Sequence, residues 1–541
     1  MTHRTVVRSL TRGRPILRRG AAVLAAASIT GAIAGGVASA TTEPPAGSEP
    51  AATAEPQRGG KAVVVFSGQP ASLDPQLQRV SFCFAECSAS SAVFASLAYM
   101  NPISGEVELY FLESLEPNED ASVWTMRLHP SIKFSDGTPL DAEAIKFNIE
   151  RAADPETGSR FQPATEGLEL EVIDELTLEV TLPGPDPSWD ADLVSNFAGV
   201  GSPTAIQAAI DEGVEVGSRP VGAGPFMVAD WDPGQRLVLE RNPYFEDFKP
   251  GQPYLDEITM ENVADRSQMT TALTSGAAQI VLTSGGGATD ELVEAANAVV
   301  TMTGGGAAIT LNTAIPPFDD VRARLALALA LDRDLTSEAF APGTPPSAGL
   351  FPETSPFHNP EYTWPEQDVA EAQRLFDELA AEGKPVDFSY TTYANAEQTN
   401  VVNTLIAQLA EFDNVTFEAD IKTYSEYVAA MPAGEFQSVP SGTYFTGPLP
   451  ILYDYVAPDG VLNYGRWENA EVGAAFADLP TASTLDEQKA IWDVLQRELV
   501  EEMPFVWLGV GVVSVGYADG MIVPRTINYG TFPLWAEIGY E

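Results

Sequence analysis

The sequence predicts an α/β protein built from more than one domain. Its 541 residues are too many for a single compact core, and two or three domains are expected for this length. Apolar residues make up 45% of the chain and the mean hydropathy is −0.03, as in a soluble globular protein. In the second half, stretches with helical spacing alternate with stretches of strand-like alternation, which predicts a sheet covered by helices.

An export segment is expected at the start of the chain. Six arginines and no acids precede a weakly apolar, Ala/Gly-rich stretch at 21–37, and Ala38-Ser39-Ala40 offers an A-x-A cleavage site. Residues 1–40 are therefore predicted to be a signal peptide. Arg18-Arg19 leaves both the twin-arginine and the general secretory route open. No cysteine directly follows the apolar stretch, so a lipid anchor is not expected. Residues 41–58, rich in Pro, Glu and Ala, are predicted to be a flexible linker.

The charge balance excludes some classes of partner. The chain carries 29 basic and 76 acidic residues, a formal net charge of −47. Such a chain repels nucleic acid and anionic membranes, so no nucleic-acid partner is expected. After the export segment no apolar run reaches the roughly 18 residues that suggest a membrane span. A solvated acidic surface that keeps an exported protein soluble explains the charge better than a cationic ligand does.

Residues 112–155 contain the most informative pattern. Trp124, Met126 and Leu128 alternate with polar neighbours, which predicts a half-buried strand. A short second run at 132–134 is closed by the turn sequence Ser-Asp-Gly-Thr-Pro at 135–139. Asp141 is placed as the N-cap of a helix whose apolar residues recur at helical spacing, and Asp154-Pro155 ends it.

Six further segments of the chain, before and after residues 112–155, contain recognisable combinations of strand, turn and helix signals. Each joins a strand-like run to a Gly/Pro turn or a helix start; they lie at 59–66, 72–75, 221–226, 231–244, 265–283 and 309–334. With 112–155 they resemble family 5 of the extracellular solute-binding proteins, the peptide/nickel family that serves ABC importers. The string W-T-x-R-L-x-P-x-I-K-F-x-D-G-T-P-L-x-A-E-A is hard to meet by chance. The resemblance covers nearly the whole chain after the export segment.

The later elements are read from periodicity. An amphipathic helix is predicted from Val369 to a stop at Gly383, a strand at 386–391, a helix at 400–412 and a strand at 415–421. The run at 505–513 is almost wholly apolar. We expect this run to carry the chain back to the first domain.

The resemblance implies a fold and a function. The fold would be the α/β, two-lobe fold of periplasmic binding proteins, type II, in the large variant with an extra N-terminal subdomain and a hinged cleft. Lobe I, with the extra subdomain, is expected at 59–305, lobe II at 306–504, and a return to lobe I at 505–541. The protein would be exported to the periplasm or the extracellular face. There, as a monomer without a cofactor, it would capture a peptide or similar medium-sized organic solute for the permease subunits of an ABC importer.

Cys83 and Cys87 are the only cysteines, in the sequence SFCFAEC. Two neighbouring cysteines in an exported protein favour a local disulfide. A zinc cluster needs more ligands, and only His129 and His358 remain after the export segment, so no metal site is expected.

Enzyme chemistry finds no specific support. G-x-S-x-G is absent, and the glycine runs at 285–287 and 304–306 lack the Lys-Ser/Thr of a P-loop, so they are interpreted as flexible connections. The protein is expected not to be an enzyme. The alternatives are a secreted hydrolase and, within the same family, capture of a nickel chelate.

The ligand site is inferred from the resemblance. In dipeptide-binding relatives an Asp in a G-W-x-x-D segment holds the peptide ammonium and an upstream Arg holds its carboxylate. Aligned on Gly442, this chain has Thr446 at the Asp position and Thr391 near the Arg position. A zwitterionic dipeptide would lose both charge partners there, so longer, blocked or uncharged solutes are expected.

Further residues of the cleft are proposed from their side-chain type and from their position near the aligned segments. Hydroxyl and aromatic side chains could hold an uncharged solute, and the candidates are Ser67, Tyr390, Tyr393, Tyr444 and Phe445. The alternative is that the aromatic residues pack the core of the second lobe.

Overall fold

A computed structural model describes most of the chain after residue 55. The described residues are 56–67, 70, 72–77, 85–101, 106–159, 161–196, 199–233, 235–263, 265–344, 346–353, 355–445, 448, 451–458, 460, 462–482, 484–527 and 532–541. The predicted signal peptide and most of the predicted linker lie outside them. Among the described residues, no helix combines the length and the apolar character that crossing a membrane requires.

Strands and helices alternate along the described chain, as the sequence predicts. The strands are β1 (Lys61–Phe66), β2 (Ala98–Met100), β3 (Val107–Leu109), β4 (Leu112–Pro117), β5 (Val123–Leu128), β6 (Glu169–Asp174), β7 (Thr177–Thr181), β8 (Phe226–Asp232), β9 (Arg236–Arg241), β10 (Glu257–Asn262), β11 (Ile280–Ser284), β12 (Asn297–Leu311), β13 (Val386–Tyr393), β14 (Val415–Lys422), β15 (Ser438–Phe445), β16 (Phe505–Tyr517), β17 (Met521–Ile522), β18 (Thr526–Ile527), β19 (Phe532–Pro533) and β20 (Gly539–Tyr540). The α-helices are α1 (Ala85–Val93), α2 (Ala142–Ala153), α3 (Trp189–Asn196), α4 (Pro203–Glu212), α5 (Arg266–Thr274), α6 (Gly286–Ala295), α7 (Val321–Ala330), α8 (Arg333–Phe340), α9 (Val369–Ala381), α10 (Ala396–Leu409), α11 (Tyr424–Ala433), α12 (Ile451–Val456), α13 (Ala470–Ala477) and α14 (Leu485–Glu502).

One sheet runs through the whole molecule. Its ten strands lie in the order β14-β13-β15-β12-β16-β11-β1-β10-β9-β8. At one end β1 pairs in parallel with β10 and β11, and at the other β13 pairs in parallel with β14 and β15. The pairs between these ends, β11–β16, β12–β16 and β12–β15, are antiparallel. A separate four-stranded sheet, β4-β5-β7-β6, holds the strand predicted from Trp124 to Leu128.

The helix predicted after this strand is confirmed. Asp141 is the N-cap of α2, and its Oδ1 accepts a hydrogen bond from the Ala144 N–H at 2.8 Å. Ile145 and Ile149 are buried on one face, and Asp154 is the C-cap. The run at 132–134 differs from expectation, since it forms only an isolated bridge between Lys133 and Pro139. Strand β5 pairs with β4 and β7 instead, because those segments offer longer ladders.

Separate hydrophobic clusters define two lobes on the long sheet. The first lobe is built around one large cluster that includes Phe66, Trp124, Phe226 and Val515. The second has one cluster on each face of the sheet, one around Phe376 and the other around Trp492. Each lobe can therefore bury its own core, as a domain must.

Two long strands, β12 and β16, join the lobes, and we call them the linking strands. The Phe505 and Val506 side chains lie in second-lobe clusters, whereas Val515 lies in the first-lobe cluster. Strand β16 begins at Phe505, the first residue of the predicted return to lobe I. The predicted boundary between residues 305 and 306 falls inside β12.

A bulge interrupts the pairing of the linking strands. Register is regular from Asn297 to Thr303 and shifts between Thr303 and Ala307, across three glycines. Gly305 and Gly306 have positive φ angles of 69° and 127°, which side chains rarely allow. The glycine run expected to be a flexible connection is therefore part of a strand. Its backbone groups pair with β15, and a Cβ on Gly305 or Gly306 would overlap the backbone of β15 or β16.

Candidate functional site

The candidate site lies where the linking strands leave the second lobe. The end of β15 reaches this point, because Tyr444 pairs with Gly305 and Phe445 pairs with Gly304 of the bulge. Side chains alternate between the two faces of a strand, so these neighbours have different surroundings. Tyr444 is half-buried, whereas Phe445 is fully buried.

The Tyr444 ring rests on the backbone of β16. A Cβ added at Gly511 would overlap both the Tyr444 ring and the Thr303 hydroxyl group. Gly511 of β16 thus allows the Tyr444 ring of β15 and the Thr303 hydroxyl of β12 to meet at the crossing between the lobes. Sequence reasoning missed Thr303 and Gly511. The available signal was the glycine at 511 within an otherwise apolar run, which marks a close approach of another group.

Two polar groups at the linking strands are buried without a partner. The Thr303 side chain is 1% exposed, and neither its Oγ1 nor the Trp507 Nε1 has a hydrogen-bond partner among the described residues. Leaving such a group unsatisfied costs roughly 1–3 kcal/mol. A solute or water molecule placed against these two groups would supply the missing partner.

The other predicted second-lobe residues have varied surroundings. Tyr393 ends β13 and is half-buried, with its ring centroid 4.9 Å from that of Tyr427. Thr391 is 1% exposed and its Oγ1 donates to Asp420 Oδ2 at 3.0 Å. The same Asp420 Oδ2 lies 3.1 Å from Lys422 Nζ, so the carboxylate next to Thr391 is paired with a cation.

Tyr390 and Phe445 lie in the core, which differs from the expectation that they line the cleft. Tyr390 is fully buried, and its hydroxyl donates to Gln398 Oε1 at 3.2 Å. Burial raises the pKa of Tyr390 well above its usual value. Phe445 packs against Phe351 with ring centroids 5.5 Å apart. For these two side chains the structure favours the alternative, core packing, because they point to the covered face of their strands.

Three predicted residues lie at the edge of the described segments or outside them. Ser67 follows β1 and is exposed. Thr446 and Cys83 lie outside the described residues. Cys87 lies in α1, is buried and takes part in a disulfide. Its pairing with Cys83 stays a prediction.

The pKa of Asp192 is raised by burial and by neighbouring negative charges. Asp192 belongs to α3 of the first lobe, and its carboxyl has a pKa raised to about 7, first because of burial and then because of Asp186, Asp454 and Asp190. Asp454 belongs to α12 of the second lobe. The surroundings of Asp192 are therefore unfavourable for its ionised form.

A surface pocket of about 450 Å³ lies elsewhere, between α2 and α4. Its lining includes Asp141, Glu143, Phe147 and Thr204, all from the first lobe. It has no lining residue from the second lobe or the linking strands, so we do not assign the binding site to it.

Metal binding finds no support in the described part of the chain. Groups of three or more Cys, His, Asp or Glu side chains placed to hold a metal ion do not occur among its residues. His358 Nδ1 lies 3.0 Å from the Phe351 carbonyl oxygen, and the His129 ring packs near Phe248.

Comparison with solved structures defines the class of protein. The chain superimposes on the oligopeptide-binding protein AppA from Bacillus subtilis in complex with a nonapeptide, with a TM-score of 0.73, 18% identity, and coverage of 90% of this chain and 100% of that one. For the periplasmic binding protein DppA from Helicobacter pylori in complex with the peptide STSA, the TM-score is 0.73, with 20% identity and coverage of 90% and 99%. The chain therefore has the two-lobe fold of type II periplasmic binding proteins.

The family follows from the sequence matches. The model of the bacterial extracellular solute-binding proteins, family 5, matches residues 106–459, more than half of the chain. The glutathione-binding protein GsiB of Shigella boydii is 29% identical over 423 residues, which cover 74% of this chain and 79% of the relative. GsiB of Pectobacterium atrosepticum is 24% identical over 428 residues, covering 73% and 79%. The protein belongs to family 5 of the solute-binding proteins, which serve ABC importers.

Proposed function

We propose that this protein captures a peptide or similar medium-sized organic solute between its lobes and delivers it to the permease of an ABC importer. It acts as an exported monomer in the periplasm or at the extracellular face. The observation that carries the proposal is the meeting of Thr303, Gly511 and Tyr444 at the linking strands. There an unpaired buried hydroxyl and a half-buried aromatic ring stand at the junction of the two lobes.

The physical basis is closure around the solute. A solute placed at the linking strands contacts groups from both lobes at once, and its binding favours the arrangement in which both sets of contacts form. The solute supplies a hydrogen-bond partner to Thr303 Oγ1, and its apolar parts cover the Tyr444 ring. Ser67 from the first lobe and Tyr393 from the second are the other candidate contacts.

The chemistry of the site favours solutes without a free zwitterionic backbone. The Thr391 hydroxyl is hydrogen-bonded to Asp420, and the cation beside them, Lys422, is already paired with that same carboxylate. Thr446 stands where dipeptide-binding relatives have an Asp, and a hydroxyl cannot neutralise an ammonium. We therefore expect weak binding of free dipeptides and tighter binding of longer, blocked or uncharged solutes. Glutathione, which the relatives named above bind, is a necessary member of any test panel.

Native mass spectrometry of the protein purified from its host identifies what it carries. Calorimetry with that solute, glutathione, dipeptides and blocked oligopeptides then measures affinity. Thr303→Val removes the unpaired hydroxyl at constant volume and is expected to weaken binding of the carried solute at least about tenfold. The matched control is Thr301→Val, two residues earlier on the same face of β12, which is expected to bind as wild type does.

Two outcomes would contradict the proposal. One is an equal loss of affinity in Thr301→Val and Thr303→Val, which would show that the solute does not bind at Thr303 on the linking strands. The other is tight binding of free dipeptides by the wild type, because the cleft would then have to contain charge partners for both the ammonium and the carboxylate.

A further inference from the structure

Helix α6 begins directly after β11 and is fixed to the first lobe. Its Leu292 is buried in a cluster with residues of β1, β11 and α5, and a Cβ added at Gly516 of β16 would overlap the Leu292 side chain. The Thr289 hydroxyl lies 2.9 Å from the Ser514 hydroxyl of β16, and both side chains are buried. The helix therefore follows any movement of the first-lobe part of the sheet.

The start of α6 has no side chain that could cap it. Residues 285–287 are all glycine, and Gly285 is the N-cap. The first N–H groups of a helix have no partner within the helix, and Ser, Thr, Asp or Asn at the N-cap usually supplies one. The Gly287 N–H instead donates to the Pro342 carbonyl oxygen at 2.7 Å. A carbonyl group from outside the helix thus takes the place of the N-cap side chain.

The carbonyl group that caps α6 belongs to the second lobe. Pro342 follows α8, whose Phe340 packs against the second-lobe cluster around Phe376. The loop is tied back to α8, because the Gly343 N–H donates to Glu338 Oε2 at 2.7 Å. Helix α8 in turn packs on α10 of the same lobe. The donor and the acceptor of this hydrogen bond are therefore each held by their own lobe.

The contact leaves no room for a side chain at position 287. A Cβ added to Gly287 would lie 2.7 Å from the Pro342 carbonyl oxygen and 3.3 Å from its carbon. Gly287 lies within a helix, where alanine is ordinarily the better residue. The advantage of glycine here therefore comes from the approach of the other lobe and not from the local backbone.

We propose that the Pro342 carbonyl is a detachable cap between the lobes, which binds α6 in the arrangement of the lobes seen here and leaves Gly287 when the lobes rotate. The linking strands join the lobes through the covalent chain, and the cap adds a connection that opens and closes. The proposal concerns the ligand-free protein. It goes beyond the proposed function and does not rest on where the solute binds.

A single main-chain hydrogen bond suits this role because it acts over a short range. N–H···O bonds span roughly 2.7–3.2 Å, so a relative movement of the lobes by about 1 Å at this point breaks the bond. The Gly287 N–H and the Pro342 carbonyl then bind water, which replaces most of what is lost. The cap therefore biases the balance between arrangements of the lobes without locking it.

Small-angle X-ray scattering of the ligand-free protein tests the cap through Gly287→Ala. The added Cβ has no space beside the Pro342 oxygen, so the cap is displaced. Because an attraction between the lobes is lost, they are expected to separate further on average, with a larger radius of gyration than in the wild type. The matched control is Gly473→Ala in α13, where a Cβ meets Pro458 at an ordinary 3.6 Å. Its radius is expected to equal that of the wild type.

Amide hydrogen exchange, resolved to Gly287 by mass spectrometry, tests the cap without a change in α6. Glu338→Ala removes the acceptor that holds Gly343, whereas Glu338→Gln keeps an acceptor oxygen. In Glu338→Ala the Gly287 amide is expected to exchange at least about tenfold faster than in the wild type, because the cap opens more often. In Glu338→Gln the rate is expected to stay within about twofold of the wild-type rate.

An unchanged or smaller radius in Gly287→Ala would overturn the proposal, since the contact would then not draw the lobes together. Equal exchange rates of the Gly287 amide in the two Glu338 variants would overturn it as well. Circular dichroism establishes that each variant is folded, and if Gly287→Ala is not, the Glu338 pair decides. Calorimetry of Thr303→Val tests the proposed function alone, so the two proposals fail or stand separately.

Discussion

Thr303 and Gly511 face each other across the two linking strands, and the space that Gly511 leaves is filled by the Thr303 hydroxyl and the Tyr444 ring. Because Gly511 has no side chain, the Thr303 hydroxyl and the Tyr444 ring can both reach the junction of the lobes. Because the linking strands are paired directly on either side of the bulge, changes at this pair are expected to affect both stability and solute binding.

Gly511→Ala is expected to destabilise the protein by about 1–3 kcal/mol, because the new methyl group overlaps Thr303 Oγ1 and the Tyr444 ring. Denaturant unfolding measures this loss. The control is Gly184→Ala, where a Cβ meets no atom within 4 Å. The cost of Gly511→Ala should be smaller in a Thr303→Ala background, since the overlapping hydroxyl is gone. Equal costs at positions 184 and 511 would contradict the close packing around Gly511.

Asp74→Asn is expected to cost about 3–5 kcal/mol, because it leaves a largely buried guanidinium without its counter-charge. Arg151 at the end of α2 donates to Asp74 Oδ1 and Oδ2 at 2.8 and 2.6 Å, and the side chains are 11% and 5% exposed. The control is Glu212→Gln in the exposed pair with Arg219, which should cost less than about 1 kcal/mol. Urea unfolding of both variants measures the difference, and similar costs would argue that the Asp74 pair is as hydrated as the surface one.

Asp320 is expected to make part of the stability sensitive to acid. Arg322 holds the pKa of this carboxyl at about 2, mainly through side-chain hydrogen bonds at 2.8 and 3.0 Å. A lowered pKa contributes stability that is complete above about pH 4 and is lost as the pH falls towards 2. Asp320→Asn retains an N-cap for α7 but removes the charge. Its unfolding free energy should therefore fall less steeply over that range than that of the wild type, and parallel curves would contradict the assignment.

Cys83 and Cys87 are expected to be joined to each other in the exported protein. Cys87 is disulfide-bonded, and the chain has no third cysteine. Under denaturing conditions an alkylating reagent should label neither cysteine before reduction and both after it, as mass spectrometry would show. Labelling of both residues without reduction would exclude the bond. A product of doubled mass that reduction separates would indicate a bond between two chains instead.

Local signals predicted the elements well. The cap at Asp141, the alternation from Trp124 to Leu128 and the helical face that buries Leu375 and Phe376 all lie where the pattern placed them. Each of these signals acts over a few residues, since a cap bonds to the next turn and an amphipathic face repeats every three or four positions. The helix predicted at 400–412 begins earlier, at Ala396, because Asn395 caps it.

The candidate site was predicted less well, and β15 shows why. From the sequence, Tyr444 and Phe445 were both predicted to line the cleft, although neighbouring residues on a strand point to opposite faces. Which face is covered depends on the cluster around Trp492 and on the bulge in β12, and both come from distant parts of the chain. Thr303 was missed for the same reason, because its position at the junction depends on pairing with a glycine about 200 residues later.

By itself, the sequence determined the α/β class, the order of the elements, the family and the expectation of two lobes, because periodicity, caps and turn residues act locally and the family motifs occur in order. Only the tertiary structure decided that three glycines form a bulge rather than a loose connection, and that Tyr390 and Phe445 belong to the core. These features depend on strand register and on contacts between segments far apart in the chain. The free energies of such contacts arise from burial and from charges brought together, which no short stretch of sequence contains.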